Sequence, residues 1–588
     1  LGVFFDLRIV AVTDRAQPKT RNEVGIMPQQ YEYAPDTTLE SDDAKVSELV
    51  RLSHGSGNML DSTSQSSVAA ITEALKNPDD MLPARMVPLM SMVDEKSRPT
   101  ILAAMLDGIA RFQHSHGFAP SADMIDAAIF QGMSVADGRS QLVLPDGVTL
   151  DSVSSSLQST PLSHQPNRIA VAIVGGLAEA IPFAAALPSD LSSNESKLAI
   201  VNSTAGTAFG AYKDGDILDG VNGGQAYTMP ERTVVAAMAG DRLTATFAFK
   251  ADIGGAGAAV PVLPTRTYVK VAGFKVAAEV NPNQTTAARQ IAGTINIAGS
   301  DYAIGGSVTP ANGSGSLTFN PALPAGVVPK VVGFIDYEAN PALTPAVKVK
   351  AESFSLFCAE QRTLMQVAPG ARSQAQNELG ADFLTVAVNS ARRQWSNERF
   401  YLALAKVKEV AINTSRIFNF DAANQLLQKS RAQRWRDFAA FLGEVDQLVA
   451  NNTMEFGISM IFVGAKGASN FRTMGSDDFV PSGVSARPGI FRVGRYKNQV
   501  DVYYTPRHVD ETATEIQMLA IGRASQVARN PVVTSDAVPP TLIPLGILSD
   551  LKQGTALYGR NLTEINPHQP SAMGCALITV QNVDLLED

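Results

Sequence analysis

The stretch Leu384-Thr385-Val386-Ala387-Val388-Asn389-Ser390-Ala391-Arg392-Arg393-Gln394-Trp395 sets the scale of the molecule. Leu384, Val388, Ala391 and Trp395 fall at spacings of four, three and four, the repeat of one apolar helix face. The stripe resumes at Leu402, Ala405 and Val407, so the pattern predicts a single helix over about 374–410. At 1.5 Å per residue such a helix is on the order of 50 Å long, well beyond the globular mean.

Downstream, a second helix is expected over 421–450, burying Trp435, Phe438, Leu442, Val445 and Val449. Both tryptophans sit among apolar partners at helical spacing and read as core rather than as stacking platforms. Short strands follow at Ile458–Val463, 501–504, 518–522 and 576–580, before the acidic tail Asp584-Leu585-Leu586-Glu587-Asp588. Upstream, Val347-Lys348-Val349-Lys350-Ala351-Glu352 reads as a strand leading toward the long helix.

Between about 236 and 345 the period changes to two. Leu243, Ala245, Phe247 and Phe249 alternate with Thr244, Thr246, Ala248 and Lys250. Lys270-Val271-Ala272-Gly273-Phe274 resembles Lys330-Val331-Val332-Gly333-Phe334, and turns such as Asn312-Gly313-Ser314-Gly315 lie between them. A compact antiparallel insert, a small sandwich, is expected there. Over 190–235, the apolar run Lys197-Leu198-Ala199-Ile200-Val201 and the turn chemistry of Lys213-Asp214-Gly215-Asp216 and Asp219-Gly220-Val221-Asn222-Gly223-Gly224 suit a long two-stranded excursion.

Residues 1–165 read as an extended arm carrying a few helices, with polar segments at 17–20 and 29–36 and a Ser-rich linker at 150–165. One helix follows Pro99, with Leu102, Met105, Ile109 and Phe112 inward; another follows Pro120-Ser121, with Met124, Ala127, Ala128 and Phe130 inward. The apolar stretch 169–187 is interrupted by Glu179 and Pro182 and does not read as a membrane span. A chain starting at Leu1, without the cationic leader of a signal peptide, is expected to arise by trimming or proteolytic maturation.

Composition narrows the function classes. The 588 residues suit three or four domains, or fewer with long insertions. A 45% apolar fraction supports a large core, while charged residues make up only 18%. That is sparse beside the roughly 25% of a typical soluble protein, and a surface poor in charge suits burial against neighbours. The net charge of −9 disfavours wrapping nucleic acid by phosphate neutralisation. Two cysteines, Cys358 and Cys575, exclude a disulfide scaffold and Cys-rich zinc sites.

Catalytic signatures are not found. Gly464-Ala465-Lys466-Gly467-Ala468-Ser469 has the lysine before the second glycine, the wrong order for a phosphate loop, and reads as a strand-exit turn. His114-Ser115-His116 places two imidazoles at i and i+2, with no third ligand, and reads as a solvated loop. Asp214, Asp216 and Asp219 lack the spacing and terminal glutamate of a calcium loop and read as turn formers. No serine sits in a Gly-x-Ser-x-Gly elbow, and neither cysteine has an activating neighbour. Asn-x-Ser/Thr triplets at Asn202 and Asn451 are at chance frequency for so Ser/Thr-rich a chain. The expectation is a non-enzyme with no catalytic, cofactor-binding or metal-binding residues.

An ordered set of landmarks then carries a resemblance. Val347-Lys348-Val349-Lys350-Ala351 leads to Asn377-Glu378-Leu379-Gly380-Ala381-Asp382-Phe383. Next come Gly494-Arg495-Tyr496-Lys497-Asn498-Gln499-Val500-Asp501-Val502-Tyr503-Tyr504-Thr505-Pro506 and Ile521-Gly522-Arg523. Arg529-Asn530-Pro531-Val532-Val533, Pro544-Leu545 and Thr555-Ala556-Leu557-Tyr558-Gly559-Arg560 complete the series. Together, over about 346–570, they resemble the major capsid proteins of large contractile-tailed bacteriophages, the T-even-like and jumbo groups, with the HK97-type fold. Upstream, Ser193-Asn194-Glu195-Ser196-Lys197-Leu198-Ala199-Ile200-Val201 with Phe209-Gly210 is similar to the start of the extended loop in jumbo-phage members.

The resemblance implies an α+β chain with an N-terminal arm over 1–165 and the start of a peripheral domain and extended loop over 166–235. An inserted β-rich domain follows over 236–345, then the peripheral domain with its spine helix over 346–412, an axial domain over 413–555 and C-terminal peripheral strands over 556–588. The 236–345 insert and the long N-terminal region depart from the minimal family pattern. The implied role is self-assembly into hexamers, with pentamers from this or a related chain, to form the icosahedral head of a virion around double-stranded DNA that it contacts weakly. Scaffold, maturation protease, portal and vertex or decoration proteins are the implied partners, assembly is in the host bacterial cytoplasm, and no membrane is involved. Two other classes fit less of the chain: a contractile-tail sheath subunit, and a β-rich glycan hydrolase with a helical accessory domain. Cellular nanocompartment shells of the same fold are much shorter chains.

Overall fold

The computed structural model describes residues 44–45, 65–83, 85–136, 166–187, 194–254, 257–280, 287–379, 383–545 and 553–583. The polar segments at 17–20 and 29–36, the Ser-rich linker at 150–165 and the acidic tail lie outside the described residues. The fold is α+β, as expected.

Five helices longer than a single turn open the described chain: α1 Gln65–Lys76, α2 Met86–Met92, α3 Arg98–His116, α4 Ala122–Ala136 and α5 Pro166–Glu179. They are not strung along an arm. Ile101, Leu102, Met105, Leu106 and Ile109 of α3 meet Ile125, Ile129 and Met133 of α4 and Ile169, Ile173 and Leu177 of α5 in one core. On α4, Met124 and Ala128 are buried as expected, whereas Ala127 and Phe130 are only half-buried. The buried stripe of α4 faces α5, against which α3 also packs. At Gly132 an added Cβ would lie 2.8 Å from Ile173 Cγ1, so close approach of α4 and α5 requires glycine there. The apolar stretch at 169–187 divides into α5 and a short strand, β1 Ala184–Leu187. Among the described residues no helix is long and apolar enough to cross a membrane.

Strand β2, Glu195–Ala205, is the outward limb of the two-stranded excursion. Its partner is not found within 190–235, as the sequence suggested. It is a strand of the region beyond the insert, Val347–Phe357, paired antiparallel from Val347↔Ala205 to Phe357↔Glu195. The insert therefore sits at the tip of a two-stranded ribbon.

The insert contains β3 Glu231–Val235, β4 Ala237–Met238, β5 Thr244–Ala248, β6 Tyr268–Val271, β7 Phe274–Glu279, β8 Arg289–Ile297, β9 Ser300–Thr309, β10 Ser314–Asn320 and β11 Lys330–Phe334. Their order, β3-β11-β6-β7-β8-β9-β10-β5-β4, begins and ends on successive segments of one strand. That strand changes partners at Ala236, whose N–H donates to Pro329 O at 3.0 Å, and the sheet curls into a barrel rather than a sandwich. Ala245, Phe247 and Phe249 point into its core with Val269, Val331 and Leu317. Leu243, the first of the alternating residues, is 42% exposed before the strand begins. The two similar pentapeptides differ in structure. Gly273 occupies a left-handed hairpin turn, whereas Gly333 lies within β11 beneath Phe249.

After the barrel the chain forms β12 Val347–Phe357, the ribbon's return strand, then β13 Ala359–Val367, α6 Pro369–Leu379, α7 Phe383–Ala411, β14 Ser415–Asn419, α8 Arg431–Thr453, β15 Ile458–Val463, α9 Ala465–Arg472 and β16 Phe479–Pro481. β17 Phe491–Tyr496, β18 Val500–Tyr504, β19 Ile516–Gly522, β20 Val532–Leu545, β21 Gln553–Ile565 and β22 Cys575–Gln581 complete the fold. β1-β20-β21-β13 form one sheet and β14-β22-β19-β15-β18-β17-β16 another.

The predicted long helix is two helices, α6 and α7, with 380–382 outside the described residues. α7 has 29 residues, or about 43 Å. Its buried stripe runs through Trp395, Ala403, Leu404, Val407 and Ala411. Leu402 is 43% exposed, because the four-residue repeat from Trp395 carries the buried face to position 403. Helix α8 buries all five expected residues. It starts ten residues later than predicted, where Ser430 and Gln433 form a capping box.

Candidate assembly surfaces

The ribbon has two unlike faces, because directly paired residues of antiparallel strands point to the same side. On one face, Leu198 and Ile200 of β2, with Phe354 and Leu356 of β12, pack on Leu187, Val527, Ala528 and Val533 of the body. On the other, Val201, Val347, Val349 and Phe357 are exposed by 58, 59, 72 and 63%. Period-two alternation has placed aliphatic and aromatic side chains on both sides of a sheet that its own chain covers on only one.

Polar contacts hold the ribbon in register and in place. Arg529, in the turn before β20, donates to Val201 O at 3.0 Å and Asn202 Oδ1 at 2.8 Å. Buried Ser196 donates to Ser535 Oγ at 2.8 Å. Near the tip, Gly206 N–H donates to Ala346 O at 2.6 Å, so the two crossings into the barrel are neighbours. The carboxylates of the acidic turn each serve the ribbon's end. Asp219 accepts from Ser203 N at 2.9 Å, Asp216 from Lys213 N at 2.7 Å, and Asp214 pairs with Lys348 at 3.3 Å.

The helical unit is locked to the body through buried charge. Arg523 of the β19–β20 connection pairs with Asp123 of α4 at 3.0 Å and donates to Pro182 O at 2.6 Å. Asp123 also accepts from Ala186 N at 3.0 Å. Nearby, Arg399 of α7 pairs with Asp536 of β20 at 3.0 Å, and Gln131 of α4 donates to Asp536 at 3.3 Å. Glu179, at the end of α5, faces this pair. Burial, and then the Asp536 carboxylate, push its pKa up to about 7 against the opposing pull of Arg399 and Arg392.

The residues singled out for chemistry have structural positions. His114 and His116 close α3 instead of lying in a solvated loop. His116 Nδ1 lies 3.2 Å from Tyr503 Oη. Burial, with Arg487 and Arg492 close by, lowers its pKa to about 4. Gly464 caps α9, so 465–469 are the helix's first residues rather than a strand-exit turn, and Glu511 already accepts from Lys466 N at 2.8 Å and Gly467 N at 2.9 Å. Cys575 is buried, and desolvation pushes its thiol up to about 12. Cys358 is half-buried at the joint of β12 and β13. Among the described residues no group of three or more His, Cys, Asp or Glu could hold a metal ion.

No protein-family model matches the sequence, and no curated protein does. Solved structures to which the fold is similar include phage capsids and an encapsulin. The jumbo bacteriophage PhiKZ capsid aligns at 11% identity and a TM-score of 0.36, covering 68% of this chain and 91% of that one. The capsid of Myoviridae phage XM1 aligns at 8% identity and a TM-score of 0.27, over 55% of this chain and 89% of that one. The SrpI encapsulin of Synechococcus elongatus aligns at 11% identity and a TM-score of 0.25, over 41% and 79%.

Proposed function

We propose that this chain is the major capsid protein of a tailed double-stranded DNA bacteriophage, assembling with copies of itself into hexamers, and pentamers, of an icosahedral head. The observation that carries the reading is the ribbon. Its inner face is fixed to the body, while Val201, Val347, Val349 and Phe357 remain exposed on the outer face along a projecting element. Covering such a face on a sister copy gains about 25 cal/mol per Å² of apolar surface, repeated at every subunit of a closed assembly. The ordered landmarks from Val347 to Arg560 resemble those of capsid proteins with the HK97-type fold. On this reading α7 is the spine helix, the seven-stranded sheet with α8 and α9 is the axial domain, and the barrel is an added domain on the extended loop. The net charge of −9 suits a wall that packaged DNA does not adhere to. Scaffold, maturation protease, portal and decoration proteins belong to the same proposal.

The test is the double exchange Val201→Glu and Val349→Glu, followed by sedimentation and negative-stain microscopy of the purified protein. Both positions face solvent in the single chain, so the variant is expected to fold as a monomer and form no closed particles. Normal shells from it would overturn the reading. Tubes from the unaltered chain would support a tail-sheath subunit instead.

A further inference from the structure

On the outer wall of the barrel three lysines stand side by side on adjacent strands. Lys330 of β11 is directly opposite Lys270 of β6, and Lys270 is directly opposite Lys275 of β7. Their inward neighbours Val331, Val269 and Ala277 fill the barrel core. A register shift in the β6–β7 pairing after Val269 allows exposed Lys275 to share the outer face with Lys270. Neighbouring strands lie about 4.8 Å apart, so the row is about 10 Å long. Like charges opposed across strands destabilise a sheet. Among the described residues none of the three has a carboxylate partner. The barrel stretches outside the described residues, Gly255-Ala256 and Asn281-Pro282-Asn283-Gln284-Thr285-Thr286, contain no acid that could supply one.

The row is flanked by apolar side chains. Val235 of β3, directly opposite Lys330, is 57% exposed, and Phe274, at the hairpin turn beside Lys275, is 73% exposed. Tyr268 is not a free platform: Lys275 and Lys270 lie 4.7 and 5.4 Å from its ring centroid.

We propose that this wall of the barrel binds an acidic, extended polypeptide segment whose carboxylates occupy alternate positions, with apolar side chains flanking the acidic run. Three ammonium groups neutralise carboxylates as point charges, and the repulsion along the row is relieved when they do. Val235 and Phe274 at the two ends give the flanking apolar side chains something to cover. A nucleic acid strand fits less well. It would need an unoccupied aromatic face among the lysines, where Tyr268 is already covered, and it leaves the aliphatic Val235 end unmatched. The inference does not depend on the shell reading, since it rests on the barrel alone.

The test is fluorescence anisotropy with the full chain and a labelled peptide that has glutamate at alternate positions, serine between them and leucines at both ends. A peptide with lysine for glutamate and a single-stranded oligonucleotide serve as comparators. Binding of the acidic peptide alone is expected, weakening at least tenfold in the triple variant Lys270→Gln, Lys275→Gln, Lys330→Gln and several-fold in Phe274→Ser. The single exchange Lys275→Gln, at an exposed position, is the second variant should the triple one not fold, with a loss of about threefold expected. No binding of the acidic peptide, equal binding by the folded lysine variants, or tighter binding of the oligonucleotide would each overturn the proposal.

Discussion

Arg529 grips Asn202 across the base of the ribbon, with its guanidinium 2.8 Å from the amide oxygen and 3.0 Å from the carbonyl of the preceding Val201. It also lies 3.6 Å from Glu455, so one side chain joins the ribbon to the β20 turn and to the end of α8. Arg529→Ala is expected to free the ribbon without unfolding the body. Hydrogen exchange over 195–205 and 347–357 should quicken at least tenfold, with protection in β19 and β22 unchanged; unchanged ribbon protection would refute the clasp.

The contact between Arg523 and Asp123 has the opposite consequence, because the Asp123 carboxylate is buried and Arg523 nearly so. Removing one partner of a buried pair leaves an uncompensated charge and costs about 3–5 kcal/mol. Arg523→Met should lower the unfolding free energy by that amount, and chemical denaturation measures it. A loss below about 1 kcal/mol would place this pair with exposed ones.

Acidity acts on the fold through two groups with opposite signs. Glu179 has its pKa raised from 4.5 to about 7, so the folded state holds a proton that the unfolded state has released. Its contribution is fully present below pH 4.5 and is lost as pH rises through 7. His116 is lowered from 6.5 to about 4, so its contribution is present above 6.5 and is lost as pH falls through 4. The part of the melting-temperature profile that falls between pH 4.5 and 7 should therefore vanish in Glu179→Gln, and the part that rises between pH 4 and 6.5 in His116→Gln. A variant whose profile parallels the parent's would show that the group does not titrate in that window.

Because Gly206 and Ala346 are hydrogen-bonded neighbours, excising 207–345 and joining the two with a short turn should leave the ribbon hairpin intact. The shortened chain is expected to keep the near-parent melting temperature of its body, and the separated 206–346 fragment to fold by itself. Circular dichroism of the two pieces decides it, and an unfolded fragment would show that the barrel depends on the body.

Much of this architecture was readable locally. The five apolar residues of α8, the stripe of α3 and the alternation of β5 occupy the positions their spacing indicated. What escaped the sequence was pairing at a distance. β2 meets a strand more than a hundred residues away, and no local periodicity records a partner on the far side of an inserted domain. The barrel's closure was hidden for the same reason, since it depends on two halves of one strand choosing different neighbours. The arm became a helical unit because apolar stripes on α3, α4 and α5 complete one another across the stretch between them. On the candidate surfaces, the ribbon's apolar residues were legible but their outward face was not, because outwardness is set by register. The lysine row needed the same information.

The stretch 231–238 serves both margins of the nine-stranded sheet, which leaves the outermost module with no bare backbone along its sides. Unpaired margins are where flat sheets of separate molecules zip together into aggregates. With its margins joined in this way the barrel offers little template for pairing with another sheet, and the apolar face left exposed is that of the ribbon.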